Sequence, residues 1–100
     1  MAQIYEVTAV VDEGRATEFE KYMIDEHIPD VLATGCLAAA FFAKDDKSYI
    51  FGYHVNTPED MQRYLDNYAA KLRDDVVQRF GDSVKTSRRM LDIVKLFPGQ

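Results

Sequence analysis

The amino-acid sequence predicts an α+β domain with the element order β-α-β-β-α-β, and three observations carry that prediction. Four segments are rich in β-branched and aromatic residues. Two longer segments repeat apolar residues every three or four positions. Glycine and proline stand singly, where one pattern gives way to the other.

Gln3 to Val11 reads as the first strand. Tyr5, Val7, Ala9 and Val11 share one face, and Ile4, Glu6, Thr8 and Val10 the other. Asp12 is placed to cap the first helix, with Glu13 suited to its positive end. Ala16, Phe19, Met23 and His27 then form one apolar stripe, with Glu18, Glu20, Lys21 and Asp25 off it. Pro29 disfavours the α region for the residue before it, so the helix is expected to loosen at His27-Ile28. One further turn over Asp30 to Thr34 should stop at Gly35.

Leu37 to Lys44 and Ser48 to Val55 read as the second and third strands, joined through Asp45-Asp46-Lys47 as an antiparallel hairpin. Thr57-Pro58-Glu59-Asp60 starts the second helix: a capping threonine, proline at the first helical position, and an acid three residues after the cap. Met61, Tyr64, Leu65, Tyr68, Ala69 and Leu72 follow at helical spacing, and Val76 and Phe80 continue the stripe to Gly81. The run is long for this chain, so a kink is expected between Asn67 and Ala70. The last strand lies within Val84 to Leu96. Its polar start, Lys85-Thr86-Ser87-Arg88-Arg89, predicts an edge position or a wet cavity beside it.

This order matches the split βαβ, or ferredoxin-like, arrangement of a four-stranded antiparallel sheet with both helices on one face. The other face is then bare. In the third strand Tyr49, Phe51, Tyr53 and Val55 share one face, and Ile50, Gly52 and His54 the other. In the second strand Leu37, Ala39, Phe41 and Ala43 oppose Ala38, Ala40 and Phe42. Both faces are too apolar to stay in water, so the sheet face is expected to pair with an identical sheet as a homodimer, a dimeric α+β barrel. Residues 1–100 are expected to form one such domain.

Composition narrows the function. A 100-residue chain that is 47% apolar can bury a core, although folding at this size removes only about 60–70% of the unfolded surface. The formal charge of −5 disfavours a phosphate backbone, so no nucleic-acid partner is expected. The single Cys36 excludes an internal disulfide and any cysteine-pair metal or redox motif. No segment reads as a signal peptide or a membrane span, which makes a cytoplasmic location without membrane partners the expectation.

The segments Glu26-His27-Ile28-Pro29-Asp30-Val31-Leu32, Ala33-Thr34-Gly35, Tyr49-Ile50-Phe51-Gly52-Tyr53 and Ser87-Arg88-Arg89-Met90-Leu91, with Tyr64-Leu65 and Arg79-Phe80-Gly81, resemble a bacterial domain-of-unknown-function family, DUF4286, over nearly the whole chain. Cys36 departs from the pattern, where a bulkier apolar residue is expected. The resemblance implies a dimeric α+β barrel and no particular reaction. Relatives of the broader barrel type include cofactor-free monooxygenases, isomerases and polyketide cyclases, which is an analogy of fold only.

His27 is the candidate catalytic residue. It ends the apolar stripe beside Glu26, where it can meet the sheet and act as a general acid or base. The competing view is a helix-end histidine bound to the last carbonyls. Tyr5, Tyr53, His54 and Arg88 are the candidate ligand-binding residues. Phenols orient polar groups in apolar clefts, and an arginine can clamp a carboxylate. Each also has a packing or ion-pairing alternative, as does Tyr49. The two histidines have no metal-ligand spacing, so neither a metal nor a bound cofactor is expected. These residues point to a small apolar, aromatic or carbonyl-bearing molecule in the helix–sheet cleft. Any catalysis there would be cofactor-free acid–base chemistry. The alternatives are a non-catalytic dimeric module and, more remotely, an RNA-recognition domain, whose basic third-strand motif is missing here.

Overall fold

The computed structural model describes residues 1–99 and contains the expected order of elements. The strands are β1 (Gln3–Val11), β2 (Ala39–Lys44), β3 (Tyr49–Val55) and β4 (Val84–Asp92). They form one sheet in the order β2-β3-β1-β4, antiparallel throughout. Strand β4 is therefore an edge, as its polar sequence predicts. Strand β2 begins two residues later than expected, although Ala38 already donates its N–H to the His54 carbonyl at 2.8 Å.

Between β1 and β2 run α1 (Ala16–Tyr22), a π-helical turn (Met23–His27) and α2 (Ile28–Ala33). The expected Asp12 side-chain cap does not form. A short 3₁₀ turn, Glu13–Arg15, precedes α1, and it is the Asp12 carbonyl that accepts the Arg15 N–H at 2.8 Å. The loosening before Pro29 is also placed differently. Ile28 keeps α-helical torsions (φ −64°, ψ −44°), and its N–H reaches five residues back to the Met23 carbonyl. Proline lacks an N–H and its ring crowds the carbonyl four residues back, here Asp25. The wider π turn accommodates both effects without breaking the helix.

After β3 come α3 (Pro58–Asn67) and α4 (Ala69–Phe80). The Thr57 hydroxyl accepts the Asp60 N–H at 3.1 Å, as the capping pattern requires. The kink falls at Tyr68 (φ −131°, ψ −33°), inside the expected interval. Gly81 ends α4 at φ +52°, a left-handed value suited to glycine.

The core lies between the helices and one sheet face. Tyr5, Val7 and Ala9 of β1 and Tyr49, Phe51, Tyr53 and Val55 of β3 meet Phe19, Tyr22 and Met23, Met61 and Tyr64, and Leu72 and Phe80. Phe19 packs edge-on against Phe80 with ring centroids 5.5 Å apart. The Tyr49 hydroxyl donates to Glu20 at 2.8 Å, and Lys44 donates to the same oxygen at 3.2 Å. This pins α1 to the sheet. No helix among the described residues is long and apolar enough to cross a membrane.

The opposite sheet face carries no helix. Phe41, Val10 and Leu91 are exposed on it, and the Phe41 ring lies flat over Gly52. A Cβ at Gly52 would sit 2.5 Å from that ring, so this close approach requires glycine.

Candidate functional site

The β1–β4 register, Val7 opposite Arg88 and Ala9 opposite Thr86, turns Val84, Thr86 and Arg88 to the helical side of the sheet. There they border a cavity of about 180 Å³. Its floor is Tyr5, Val7, Phe51 and Tyr53 from the two central strands, together with these β4 residues. Its roof is Phe19, Met23 and His27 from the first helical run, Tyr64 from α3, and Arg73, Val76 and Val77 from α4, with Gly81 beyond.

The lining grades from dry to wet. Tyr5, Phe51, Tyr53, His27 and Tyr64 are buried, whereas Arg73, Val77, Thr86 and Arg88 are exposed. The mouth therefore lies between α4 and the edge strand, and the inner end lies beneath the π turn. Tyr5 stacks on Tyr53 with centroids 5.9 Å apart, and Tyr64 tilts against Tyr5 at 6.2 Å. His27 meets the edge of Phe51 at 6.3 Å.

Two polar atoms at this inner end have no hydrogen-bond partner, His27 Nδ1 and the Tyr53 hydroxyl. Burial keeps the His27 imidazole below its ordinary pKa of 6.5, and the opposing charges of Asp30 and Asp75 do not reverse that. Burial likewise pushes the Tyr53 phenol far up, helped by Tyr64 and Tyr5. Tyr64 is pushed up to about 12 by burial and then by Tyr5, with Arg73 and Arg88 pulling the other way. At neutral pH the inner end is thus uncharged: an imidazole and phenols that can donate or accept.

Of the residues singled out from sequence, His27, Tyr5, Tyr53 and Arg88 come together around this cavity. His54 does not join them. Strand alternation turns it to the bare face, where its register partners are Ile4 and Ala39. Tyr49 is committed to Glu20. Cys36 is buried beside Thr34, outside the cavity lining. Arg89 pairs with Glu6 on the bare face at 2.9 Å. Sequence reasoning missed Tyr64 and Arg73 as lining residues. Tyr64 was legible as part of a packing stripe, and Arg73 becomes relevant because α4, beyond the kink at Tyr68, lines the same cavity as β4. Among the described residues, no three His, Cys, Asp or Glu side chains converge as a metal site would need.

Fold and cavity define the class: a ferredoxin-like α+β protein with a partly enclosed pocket between its helices and its sheet. Within that class, the chain belongs to the domain-of-unknown-function family DUF4286, whose model matches residues 2–94. No curated protein matches it in sequence. Solved structures share the fold at low identity. One is a mutant of SnoaB, a cofactor-independent oxygenase from Streptomyces nogalater, with 11% identity, 97% of this chain and 98% of that chain covered, and a TM-score of 0.73. A second is a dimeric ferredoxin-like protein from an uncultured marine organism, with 14% identity, 99% and 100% covered, and a TM-score of 0.72. A third is a NIPSNAP family protein from Agrobacterium tumefaciens, with 16% identity, 100% of both chains covered, and a TM-score of 0.68.

Proposed function

We propose that the chain binds a small, largely apolar molecule carrying a hydroxyl or carbonyl oxygen in the helix–sheet cavity, and that it does so as a homodimer joined through the bare sheet face. One observation carries the binding reading. His27 Nδ1 and the Tyr53 hydroxyl are buried without partners, and both residues line the same cavity. An unsatisfied buried polar group costs about 1–3 kcal/mol. A ligand oxygen reaching either atom would satisfy it, while the aromatic lining covers the ligand's apolar body. A neutral imidazole in that position can also take a proton from a bound phenol or from carbon next to a carbonyl. SnoaB supports the reading only as an example of cofactor-free chemistry on this fold.

The dimer reading is supported by the apolar side chains exposed on the bare face and by two fold neighbours from uncultured marine organisms that are dimeric ferredoxin-like proteins. The two readings use opposite faces of the sheet. The RNA-recognition alternative loses its main support, because Tyr49, Phe51 and Tyr53 face the helices rather than the open side.

Phenol is the direct probe of the cavity. A titration followed by two-dimensional amide NMR should shift signals of β1, β3 and the π turn, with saturation in the millimolar range. Tyr53→Phe should weaken binding about fivefold to tenfold, the worth of one hydrogen bond of about 1 kcal/mol. Perturbations confined to the bare face, or none at all, would remove this reading.

A further inference from the structure

We propose that the cavity is built for a monocyclic aromatic carboxylate, with its acid group between Arg73 and Arg88 at the mouth and an oxygen substituent reaching His27 and Tyr53 at the inner end. This inference rests on the binding reading above and names the chemical class of the ligand.

The arginines make the case. The chain has six. Arg15 pairs with Glu18, Arg63 with Asp60, Arg79 with Glu26 and Arg89 with Glu6. The two without a carboxylate partner among the described residues, Arg73 and Arg88, are the two that line the cavity. The one side-chain hydrogen bond of Arg88 is to the neighbouring Thr86 hydroxyl, at 3.3 Å. The acids that follow Arg73 in sequence are already engaged: Asp75 with Lys71 at 3.1 Å, and Asp74 with the Gln78 amide at 2.6 Å. In a chain of net charge −5, acidic partners are plentiful, so two unpaired guanidiniums at one opening are a local arrangement against the overall field. Both guanidiniums line the cavity that Tyr64 also lines, and both act on its phenol.

Guanidinium groups suit planar carboxylates, which accept two parallel N–H bonds. A carboxylate at the mouth keeps partial contact with water and so avoids the desolvation that a buried charge suffers. The inner end offers only neutral donors and acceptors, which suit a hydroxyl or carbonyl. Size narrows the body. A dry cavity of about 150 Å³ holds benzene, so about 180 Å³ takes one substituted ring and not two.

The test compares 4-hydroxybenzoate with 4-hydroxybenzamide by calorimetric titration of the full chain near neutral pH. Ring, hydroxyl and outline are shared, and only the charge differs. The carboxylate should bind about tenfold or more tightly than the amide, the scale of one charge-assisted hydrogen bond. That preference should shrink as salt is added. In Arg73→Gln and Arg88→Gln the ratio should fall, and in the double variant it should approach one. These exposed positions are substituted without disturbing the core, and a thermal melt verifies that each variant is folded. Benzoate, which lacks the inner oxygen, should bind more weakly than 4-hydroxybenzoate in the wild type, and by a smaller margin in Tyr53→Phe, where only His27 remains to meet that oxygen. Equal affinity for carboxylate and amide in the wild type would overturn the anionic class while leaving a cavity that binds neutral rings. Failure of every one of these compounds, and of phenol, to bind would overturn both readings.

Discussion

His27 is a buried titratable residue of the cavity lining, and its environment sets a pH dependence. It is buried, and its pKa is lowered by that burial, with the carboxylates of Asp30 and Asp75 opposing. The unfolded chain therefore takes up a proton on this group as pH falls through about 6.5, before the folded chain does. The stabilising effect of a neutral His27 is fully present above that value and is lost as pH falls from it toward the lower folded-state value. Urea midpoints measured in steps from pH 8 to pH 5 should decline for the wild type across this window, and His27→Gln should remove that part of the decline. Glu18, Glu20 and Asp45, whose pKa values are lowered by hydrogen bonds, act only at more acidic pH. Identical slopes for wild type and variant between pH 7 and 5.5 would refute the assignment. Four of the five candidate site residues were legible because period-two and helical spacing assign a side to each of them. His54 was not, since alternation separates it from Tyr53 without saying which side holds a cavity. The sheet register answers that question, and register depends on long-range pairing that local pattern does not encode.

At the level of elements, local chemistry was readable where one residue dominates and unreadable where two effects compete. Thr57, Gly35, Gly81 and the hairpin acid Asp45, whose carboxylate accepts the Lys47 and Ser48 N–H groups at 2.8 Å, all act within a few residues of themselves. The Pro29 region differs. The torsional preference of the residue before proline argued for a loosened end at Ile28, yet packing of Phe19, Met23 and Val31 on the sheet favours keeping the helix continuous. The π turn is the outcome: continuity is kept, and the widening falls between Met23 and His27. His27, which lines the cavity, is the last residue of that turn. The Thr57 cap offers a clean measurement at this scale. Thr57→Ala removes the acceptor for the Asp60 N–H and should cost about 1 kcal/mol. For a domain of this size that corresponds to a melting temperature lower by about 4–8 °C, whereas Thr57→Asn should nearly restore it. An unchanged melting temperature in the alanine variant would mean that Pro58 and tertiary packing alone set the start of α3.

For the whole molecule, the unresolved physical demand is the bare sheet face, and a second copy of the chain meets it best. Near its centre the face carries one ion pair, Glu6 and Arg89 at 2.9 Å, so covering that pair buries no lone charge, while Thr8, His54, Ser87 and Lys85 are its other polar residues. Around that pair stand Ile4, Ile50, Ala39 and Ala43, with the Phe41 ring seated close over Gly52, which has no side chain. Aliphatic residues flanking one close-lying ring suit face-to-face sheet packing, and a ring at 46% exposure contributes more to such a contact than to its own core. Sedimentation should therefore give a dimer at micromolar concentration. Phe41→Lys should raise the dissociation constant about a hundredfold, in line with loss of a central aromatic contact worth about 2–4 kcal/mol. Gly52→Ala should weaken the dimer as well, by lifting the ring rather than removing it. Both variants should keep the fold and the cavity on the other side of the sheet, which the phenol titration reports independently. A wild-type chain that sediments as a monomer at that concentration would refute the dimer and leave the binding site standing, because none of the cavity's buried lining comes from the bare face.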